Sequence, residues 1–357
     1  MDTKSIFLDF ILKEWLLIFS IFGFFLTTIY IKHFPSYSIQ EWQVLFILFV
    51  LFVVVNGLYK NGLLLKIARS IERGKFIPLK LIIGTYLLSM LVTNDVALII
   101  IVPLTLSLNI DRKDLLIILE ILAANSGSSL TPIGNPQNLY LYLFYHIPPK
   151  IFIETIAPFS LFFLLLLAIF SIFLKSQVNL SETLPVPTSK KAYIYLGSLI
   201  IVLLIVFHLL PLLMGVVILI FALLFDRDSL KIDYSLIITF FFFFGIATNL
   251  KSILASELNH SGHIFLFSLL ASQIMSNVPA ALLFAKFTSN WRALLWGVNA
   301  GGFGSLFASF ANLIGYKLYL EHESNKIMSF TKRFLIIDYV ALFLSIVLYF
   351  MLYPSGT

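Results

Sequence analysis

Long apolar runs alternate with short polar stretches along most of the chain. A helix of about 20 apolar residues is long enough to cross a hydrocarbon core of about 30 Å. Seven of the apolar runs are uninterrupted, so we predict transmembrane helices there. These runs lie near residues 14–31, 42–58, 150–174, 192–208, 211–225, 233–250 and 331–353.

Four other apolar runs are interrupted by polar residues, glycine or proline. The run 79–108 is broken by VTNDV, 114–146 by SGSSLTPIGNPQNLY, 262–288 by MSNVP and 291–320 by GGFGSLFAS. In the second of these, Gly127 and Gly134 permit unusual backbone angles, and Pro132 and Pro136 lack an N–H donor, so we expect an unwound helix. Irregular backbone at membrane depth is tolerated only where protein or water surrounds it. Each break is therefore a candidate binding site.

The distribution of Lys and Arg distinguishes crossing helices from re-entrant hairpins in the runs 79–108 and 262–288. Cytoplasmic loops of membrane proteins carry an excess of basic residues. If both runs are hairpins, 19 of the 24 basic residues lie on one side, whereas two crossing helices would divide them 14 to 10. We predict two re-entrant hairpins whose tips meet near mid-membrane. The N-terminus is then cytoplasmic and the C-terminus lies outside the cell membrane.

The polar breaks recur as an internal repeat, which indicates the fold. TNDVA at 93–97 parallels SNVPA at 276–280. Further along, Asn125, Gly127, Thr131 and Asn138 match Asn299, Gly301, Ser305 and Asn312 at a constant offset of 174. With one extra span near 192–208, the second copy enters the membrane upside down, and such inverted repeats bind substrate and ions among broken helices at the midplane.

These patterns predict an all-α polytopic membrane protein with an inverted-topology repeat, two re-entrant helical hairpins and two discontinuous transmembrane helices. Residues 1–180 form the first repeat, with the hairpin 79–108 and the broken helix 114–146. Residues 181–357 contain a linker, the extra span and the second repeat, with the hairpin 262–288 and the broken helix 291–320.

Composition narrows the function. The chain is 60% hydrophobic and 12% charged, and it contains no cysteine, which excludes disulfides and thiolate metal sites. Its net charge of +6 comes without a basic stripe interleaved with aromatic residues, so we expect no nucleic-acid partner. No phosphate-binding GKS or GKT motif and no protease constellation is visible. We therefore expect a membrane protein that is not an enzyme and holds no cofactor or metal beyond a transported or coupling Na⁺.

Unwound helices supply the chemistry of an ion or anion site. Released carbonyl groups coordinate cations, and the N-terminus of the following half-helix attracts anions. The hydroxyl and amide side chains at the breaks add neutral ligands. The predicted binding residues are Thr93, Asn94, Asp95, Asn125, Gly127, Ser128, Thr131, Pro132, Gly134, Asn135, Asn138, Ser276, Asn277, Val278, Asn299, Gly301, Gly302, Ser305 and Asn312.

Asp95 is the acidic residue at the predicted tip of the first hairpin, and Val278 takes its place in the second. An acid within the membrane is costly and is by default a functional candidate. Asp95 would alternate between a protonated acid and a carboxylate with a bound cation. The structural alternative is that it stabilises the start of the second hairpin arm. Glu120 is the rival carrier.

The motifs LVTNDVALIIIVPLTL, NSGSSLTPIGNPQNLYLY, SNVPAALL and GVNAGGFGSLFASFANLI resemble the paired signatures of the ion transporter superfamily. This clan includes citrate transporters, divalent anion/sodium symporters and arsenite permeases, and the chain most resembles its short bacterial and archaeal anion permease branch. The resemblance implies an inverted repeat, a homodimer and an elevator-like movement. It also implies ligands at the tips 93–94 and 276–277 and in the stretches 127–138 and 301–312.

We therefore expect a secondary-active transporter of a small anion or oxyanion, coupled to H⁺ or Na⁺, in the plasma membrane. Citrate or dicarboxylates, inorganic anions and arsenite are all candidate substrates, because this chain departs from the Ser-Asn-Thr that the dicarboxylate symporters carry at both tips. Here the third tip positions are Asp95 and Val278. The alternative function is a cation/proton antiporter with Asp95 as the ion carrier.

Overall fold

The structure, a computed structural model, describes residues 3–71, 75–174, 187–254, 261–323 and 326–354. Regular structure in these ranges is helical, which confirms the predicted all-α class. The α-helices are α1 (Thr3–Ile31), α2 (Ile39–Lys60), α3 (Leu63–Ile71), α4 (Ile77–Val92), α5 (Asn94–Ser107), α6 (Lys113–Ser128), α7 (Pro136–Phe144), α8 (Pro149–Ile172), α9 (Lys191–Val206), α10 (Leu213–Phe225), α11 (Tyr234–Leu254), α12 (Ser261–Met275), α13 (Asn277–Ala285), α14 (Trp291–Ala300), α15 (Phe310–His322) and α16 (Ile327–Leu352), with a 3-10 helix at Arg227–Leu230.

Five helical segments in the described ranges are long and apolar enough to cross a membrane. They agree with five of the seven predicted spans and make the chain a multi-pass membrane protein. Helices α9 and α10 have 16 and 13 residues, or about 24 and 20 Å at 1.5 Å per residue. Their crossing of the membrane stays a prediction. The five segments are Glu14–Ile31, Ile39–Lys60, Pro149–Ile172, Tyr234–Lys251 and Ile327–Leu352.

Each of the four interrupted runs forms a pair of helices. Helices α4 and α5 meet at Thr93, and α12 and α13 meet at Ser276. The first unwound segment, residues 129–135, separates α6 from α7, and the second, residues 301–309, separates α14 from α15. The helix ends therefore fall at the polar breaks of the sequence.

The helices pack as two bundles. The flanking bundle consists of α1, α2, α9, α10, the 3-10 helix and α11, whereas the site bundle consists of α4–α8 and α12–α16. Between them, α2 packs on α7 and α11 on α13, and α3 touches both bundles. A buried ion pair also joins them, because Lys286 Nζ lies 2.5 Å from Glu41 Oε1 and 3.0 Å from Thr248 Oγ1.

Within the site bundle, each half contributes a helix to the other half. Helix α15, which follows the second unwound segment, packs against α5 and α6, while α7 packs against α13 and α14. Buried aromatic rings of Phe159, Phe163, Trp296 and Phe303 fill the space beside them. This exchange brings the helices that flank the two unwound segments together.

Candidate functional site

The two tips are single residues in a strained conformation. Thr93 has φ 86° and ψ 152°, and Ser276 has φ 74° and ψ 153°. Positive φ at a residue with a side chain costs about 1–3 kcal/mol and is concentrated at functional sites. The strain turns the next N–H toward an unwound segment. Asn94 N donates to Gly134 O at 3.2 Å, and Asn277 N donates to Ala308 O at 2.9 Å.

The first unwound segment is held open by its own side chains. Asn135 caps α7 by accepting the N–H of Asn138 at 2.9 Å, with Pro136 in the first helical turn. Asn138 Nδ2 donates to Ser129 O at 2.9 Å, so a side chain satisfies a carbonyl that the helix released. A Cβ on Gly134 would lie 2.2 Å from Ser128 O, so only glycine fits this turn.

The second unwound segment repeats this plan. Ser309 caps α15 by accepting the N–H of Ala311 at 3.2 Å. Asn312 Nδ2 donates to the carbonyls of Gly302 and Ser305, each at 3.0 Å. These positions correspond to Asn135, Asn138, Ser128 and Thr131 at the offset of 174 found in the sequence.

Four asparagines on the helices that flank the unwound segments link the two halves. Asn125 Nδ2 donates to Asn312 Oδ1 at 2.7 Å, and Asn299 Nδ2 donates to Asn138 Oδ1 at 2.8 Å. All four side chains are at most 4% exposed. We call Asn125, Asn138, Asn299 and Asn312 the asparagine cluster. It joins residues 161 and 187 positions apart, which only the folded chain brings together.

The cluster also reaches the first tip and both caps. Asn125 Oδ1 accepts from Asn94 Nδ2 at 3.0 Å and from Ser309 Oγ at 2.9 Å. Asn299 Oδ1 accepts from Asn135 Nδ2 at 3.4 Å, and Asn135 Nδ2 also lies 3.2 Å from Ser128 Oγ. Ser128 Oγ donates to the Asn125 backbone carbonyl at 3.1 Å, so the contacts form one buried network of amides and hydroxyls without a charged member.

Other predicted residues position this network. Thr131 Oγ1 donates to Met90 O at 2.6 Å, and Ser305 Oγ donates to Gln273 O at 2.8 Å, so each unwound segment is tied to its own half's hairpin. A Cβ on Gly127 would lie 2.4 Å from Tyr86 O.

The remaining predicted residues lie beside these contacts. A Cβ on Gly301 would lie 2.7 Å from Ser272 Oγ, and one on Gly302 would lie 3.0 Å from Asn277 Nδ2. Pro132 lies within the first unwound segment, and Val278 follows the second tip in α13, half-buried. Gly301 and Gly302 therefore allow the second unwound segment to lie close to α12 and α13.

Asp95 occupies different surroundings from the asparagine cluster. It is half-buried in the first turn of α5 and lines a cavity of about 220 Å³ together with Asn56, Lys231 and Asp233. Phe310 at the start of α15 forms part of the wall. An acid in the first turn also interacts favourably with the helix dipole, which fits the capping alternative.

The loop beside this cavity is charged. The Lys231 ammonium bonds Asp228 at 2.7 Å, and this hydrogen bond together with its charge lowers the pKa of the Asp228 carboxyl. Asp233 Oδ1 accepts the N–H of Ser235 at the start of α11. Asp95 therefore shares this cavity with charged residues of the loop before α11.

Three polar residues of this region are absent from the predicted site. Ser309 lies at offset 174 from Asn135, so extending the repeat register would have found it. Gln273 Nε2 donates to Gly301 O and Phe303 O, each at 2.9 Å. Asp338 accepts the N–H of Gly304 at 3.4 Å. A lone acid in the apolar run 331–353 is the signal that could have identified Asp338.

Metal-binding chemistry has a limited basis here. The described residues contain no group of three or more His, Cys, Asp or Glu side chains that could hold a metal ion. The asparagine cluster instead offers amide and carbonyl oxygens, which are hard ligands suited to hard cations, and amide N–H groups, which suit anions.

Comparisons with known proteins agree with this architecture. A family model described as citrate transporter matches residues 11–301. The chain belongs to the citrate transporter family. The match includes the first tip, the first unwound segment and the second tip, and it ends at Gly301, where the second unwound segment begins. A transporter family, and not an enzyme family, therefore accounts for most of the chain.

Individual relatives of the chain are also transporters or membrane proteins by name. The chain is 39% identical over 299 residues to the uncharacterized transporter MJ0456 of Methanocaldococcus jannaschii, covering 79% of this chain and 82% of that protein. It is 33% identical over 302 residues to the inner membrane protein YbiR of Escherichia coli, covering 78% and 80%. A shorter stretch of 114 residues is 32% identical to the silicon efflux transporter LSI3 of rice, covering 30% and 23%.

Proposed function

We propose that the protein is a secondary-active transporter of a small anion or oxyanion, coupled to H⁺ or Na⁺. The asparagine cluster carries this proposal, because it joins two unwound helices from opposite halves of the chain. Transporters built from repeats bind substrate and coupling ions at such discontinuous helices. The proposed ligands are the residues at the two tips and along the two unwound segments.

The family and the neutral site support a small anion as the substrate. The family description names citrate, and the rice relative is a silicon efflux transporter. Amide N–H groups and two helix N-termini, capped by Asn135 and Ser309, offer an anion neutral or partly positive partners. Citrate and dicarboxylates, inorganic anions and arsenite are the substrates to test.

We further propose an inverted repeat that works by an elevator-like movement. The matching contacts of the two tips and two unwound segments support the repeat. The division into flanking and site bundles, which meet mainly where α2 packs on α7 and α11 on α13, supports movement of one bundle relative to the other. In this proposal 79–108 and 262–288 are re-entrant hairpins, and residues 1–180 and 181–357 carry the two repeats. The N-terminus is cytoplasmic, the C-terminus is outside the plasma membrane, and the protein is a homodimer that needs no cofactor beyond its coupling ion.

A cation/proton antiporter is the second candidate, and the cavity around Asp95 is the observation that favours it. This cavity also exposes Asp233, so two carboxylates of the same cavity could receive a cation. Asp95 would then be the ion carrier, and no anion would be moved.

Purified protein in liposomes tests these proposals. Uptake of citrate, succinate, sulfate, phosphate and arsenite is measured with an imposed pH gradient, with a Na⁺ gradient and with neither. We expect one anion to accumulate only when a gradient is present. If no anion accumulates but added Na⁺ or K⁺ collapses a pH gradient, the antiporter is correct and the anion transporter is wrong.

A further inference from the structure

Asp338 is a buried acid that the proposed transport site does not use. It lies in the middle of α16, its side chain is 0% exposed, and Oδ1 accepts the N–H of Gly304 at 3.4 Å. Among the described residues, no group forms a hydrogen bond with Oδ2 or an ion pair with the carboxyl. A buried carboxyl without a counter-charge is kept neutral by a proton or a bound cation.

The carboxyl touches the second unwound segment directly. Gly304 has φ +104°, a conformation that favours glycine, and its N–H points to Asp338. The next residue, Ser305, has its N–H bonded to Gln273 Oε1 at 2.9 Å and its carbonyl bonded to Asn312 of the asparagine cluster at 3.0 Å. Asp338 therefore contacts Gly304, and the next residue in the chain, Ser305, is bonded to the asparagine cluster.

Accepting one N–H does not require an acid. An Asn side chain at position 338 would accept the same Gly304 N–H, and the cost of burying an ionisable group would be avoided. Because the protein places an acid here, beside a segment proposed to rearrange, its ability to gain and lose a proton is the property that needs an explanation.

Glu120 provides a matched comparison. It is also 0% exposed and has one oxygen, Oε2, without a partner, but Oε1 accepts from Thr105 Oγ1 at 2.5 Å. An ion pair between Asp114 and Arg333 aligns the starts of α6 and α16. Glu120 and Asp338 then lie about 9 and about 7.5 Å further along their helices at 1.5 Å per residue. The two acids have similar depth, but Asp338 is the one bonded to an unwound segment.

Other charged groups on α16 and on the helices packed against it have partners of their own or lie near helix ends. Three ion pairs account for six of them: Asp114 of α6 with Arg333 of α16, Lys150 with Glu154 on α8, and Lys317 with Glu321 on α15. Arg292 of α14 lies over the Trp291 ring, and Lys113 of α6 donates to Leu106 O. Tyr316 of α15 bonds Thr331, Tyr319 of α15 stacks on Phe330 and Tyr349 of α16 stacks on Phe265 of α12.

We propose that Asp338 carries a coupling proton, which it takes up from water on one side of the membrane and releases to water on the other. The acid and its carboxylate interconvert by loss or gain of that proton alone, as the second unwound segment changes its exposure. This inference rests on the proposed ion-coupled transport and adds a proton carrier to the predicted ion-binding residue Asp95.

The first test reads the proton itself and needs no substrate. Infrared spectra of the full-length protein in liposomes are recorded during a pH titration for wild type, Asp338→Asn and Glu120→Gln. We expect a protonated-carboxyl band that titrates in wild type and Glu120→Gln and is lost in Asp338→Asn. A band from Asp338 that does not change with pH would mean a permanently neutral structural acid and would overturn the proposal.

The second test reads coupling. We expect Asp338→Asn to exchange substrate across the liposome membrane but to lose accumulation driven by a pH gradient, and Asp338→Glu to restore accumulation with a shifted pH profile. Unchanged accumulation in Asp338→Asn, or accumulation driven by Na⁺ alone, overturns the proposal. If Asp338→Asn does not fold, the wild-type titration and Asp338→Glu decide. If wild type moves no anion, the proposed function fails, while the infrared titration still reports on Asp338.

Discussion

The first and second unwound segments share a neutral framework but differ in the acids beside them. In each, an asparagine side chain holds the released carbonyls, a cap starts the next helix, and a backbone N–H from a hairpin tip binds a segment carbonyl. The first has Asp95 at its tip, facing a cavity. The second has Val278 there and instead receives Asp338 from α16. We infer that the repeated amides form the binding framework and that the unrepeated acids serve ion coupling.

Removing an asparagine from the cluster should have the largest effect. Asn125 bonds Asn94, Ser309 and Asn312, so Asn125→Ala removes one hydrogen bond from each of three buried groups. A buried donor or acceptor whose hydrogen bond is left unmade costs about 1–3 kcal/mol. We expect transport to be abolished in Asn125→Ala and strongly reduced in Asn299→Ala, measured as uptake into liposomes.

Asn249→Ala is the matched control for these variants. Asn249 is a buried asparagine of the flanking bundle that bonds Thr27 and Thr28. We expect Asn249→Ala to lower thermal stability and to keep substrate affinity. Equal transport losses in Asn249→Ala and Asn125→Ala would contradict a special role for the cluster.

Replacing the acid of the first tip sharpens the difference between the halves. Asp95→Asn keeps shape and capping ability but cannot titrate. We expect it to abolish accumulation against a gradient while the protein still folds and exchanges substrate, with the exposed Asp228→Asn as the control. Accumulation with unchanged pH dependence in Asp95→Asn would make Asp95 a cap and place ion binding elsewhere.

Replacing the two tip asparagines should reduce transport to different degrees. Asn94 Nδ2 bonds Asn125, whereas the hydrogen bond that the structure gives the Asn277 side chain is a 3.4 Å contact from Ser276 Oγ. We expect both Asn94→Ala and Asn277→Ala to reduce transport, the first more strongly, with folding largely intact. Initial uptake rates at several substrate concentrations measure this, and normal kinetics in both variants would refute a shared central site.

Substituting the glycines that pack the hairpins against α6 and α14 should lower thermal stability more in the first half of the chain than in the second. A Cβ on Gly127 meets the rigid carbonyl of Tyr86 at 2.4 Å, while one on Gly301 meets Ser272 Oγ and Gly297 O at 2.7 and 2.8 Å. Overpacking of this kind costs about 1–3 kcal/mol. Thermal unfolding should show a larger loss for Gly127→Ala than for Gly301→Ala. Gly197→Ala, which meets nothing within 4 Å, should lose no stability.

Single cysteines test the opposite orientation of the halves with the smallest disturbance. Arg112 is the residue before α6 and Asn290 the residue before α14, so each marks the start of the broken helix in its half. The chain has no native cysteine. We expect Arg112→Cys to react with an impermeant maleimide only from the cytoplasmic side and Asn290→Cys only from outside. Labelling of both from one side would exclude the inverted arrangement.

The sequence alone determined the helical membrane class, the places where helices break and the members of the asparagine cluster. Apolar length sets the first, because a helix must satisfy its backbone groups within lipid. Proline, glycine and clustered polar residues set the second, because they interrupt helical hydrogen bonding. The offset of 174 identified all four cluster asparagines.

Only the tertiary structure decided which of these residues meet and which serve as supports. Asn125 finds Asn312, and not its repeat counterpart Asn299, because α15 packs against α6 in the other half of the chain. Thr131 and Ser305 turn toward their hairpins, Asp95 faces a cavity, and Asp338 reaches Gly304. Such pairings depend on contacts between distant segments and on the direction of each side chain, neither of which is written in local spacing or composition.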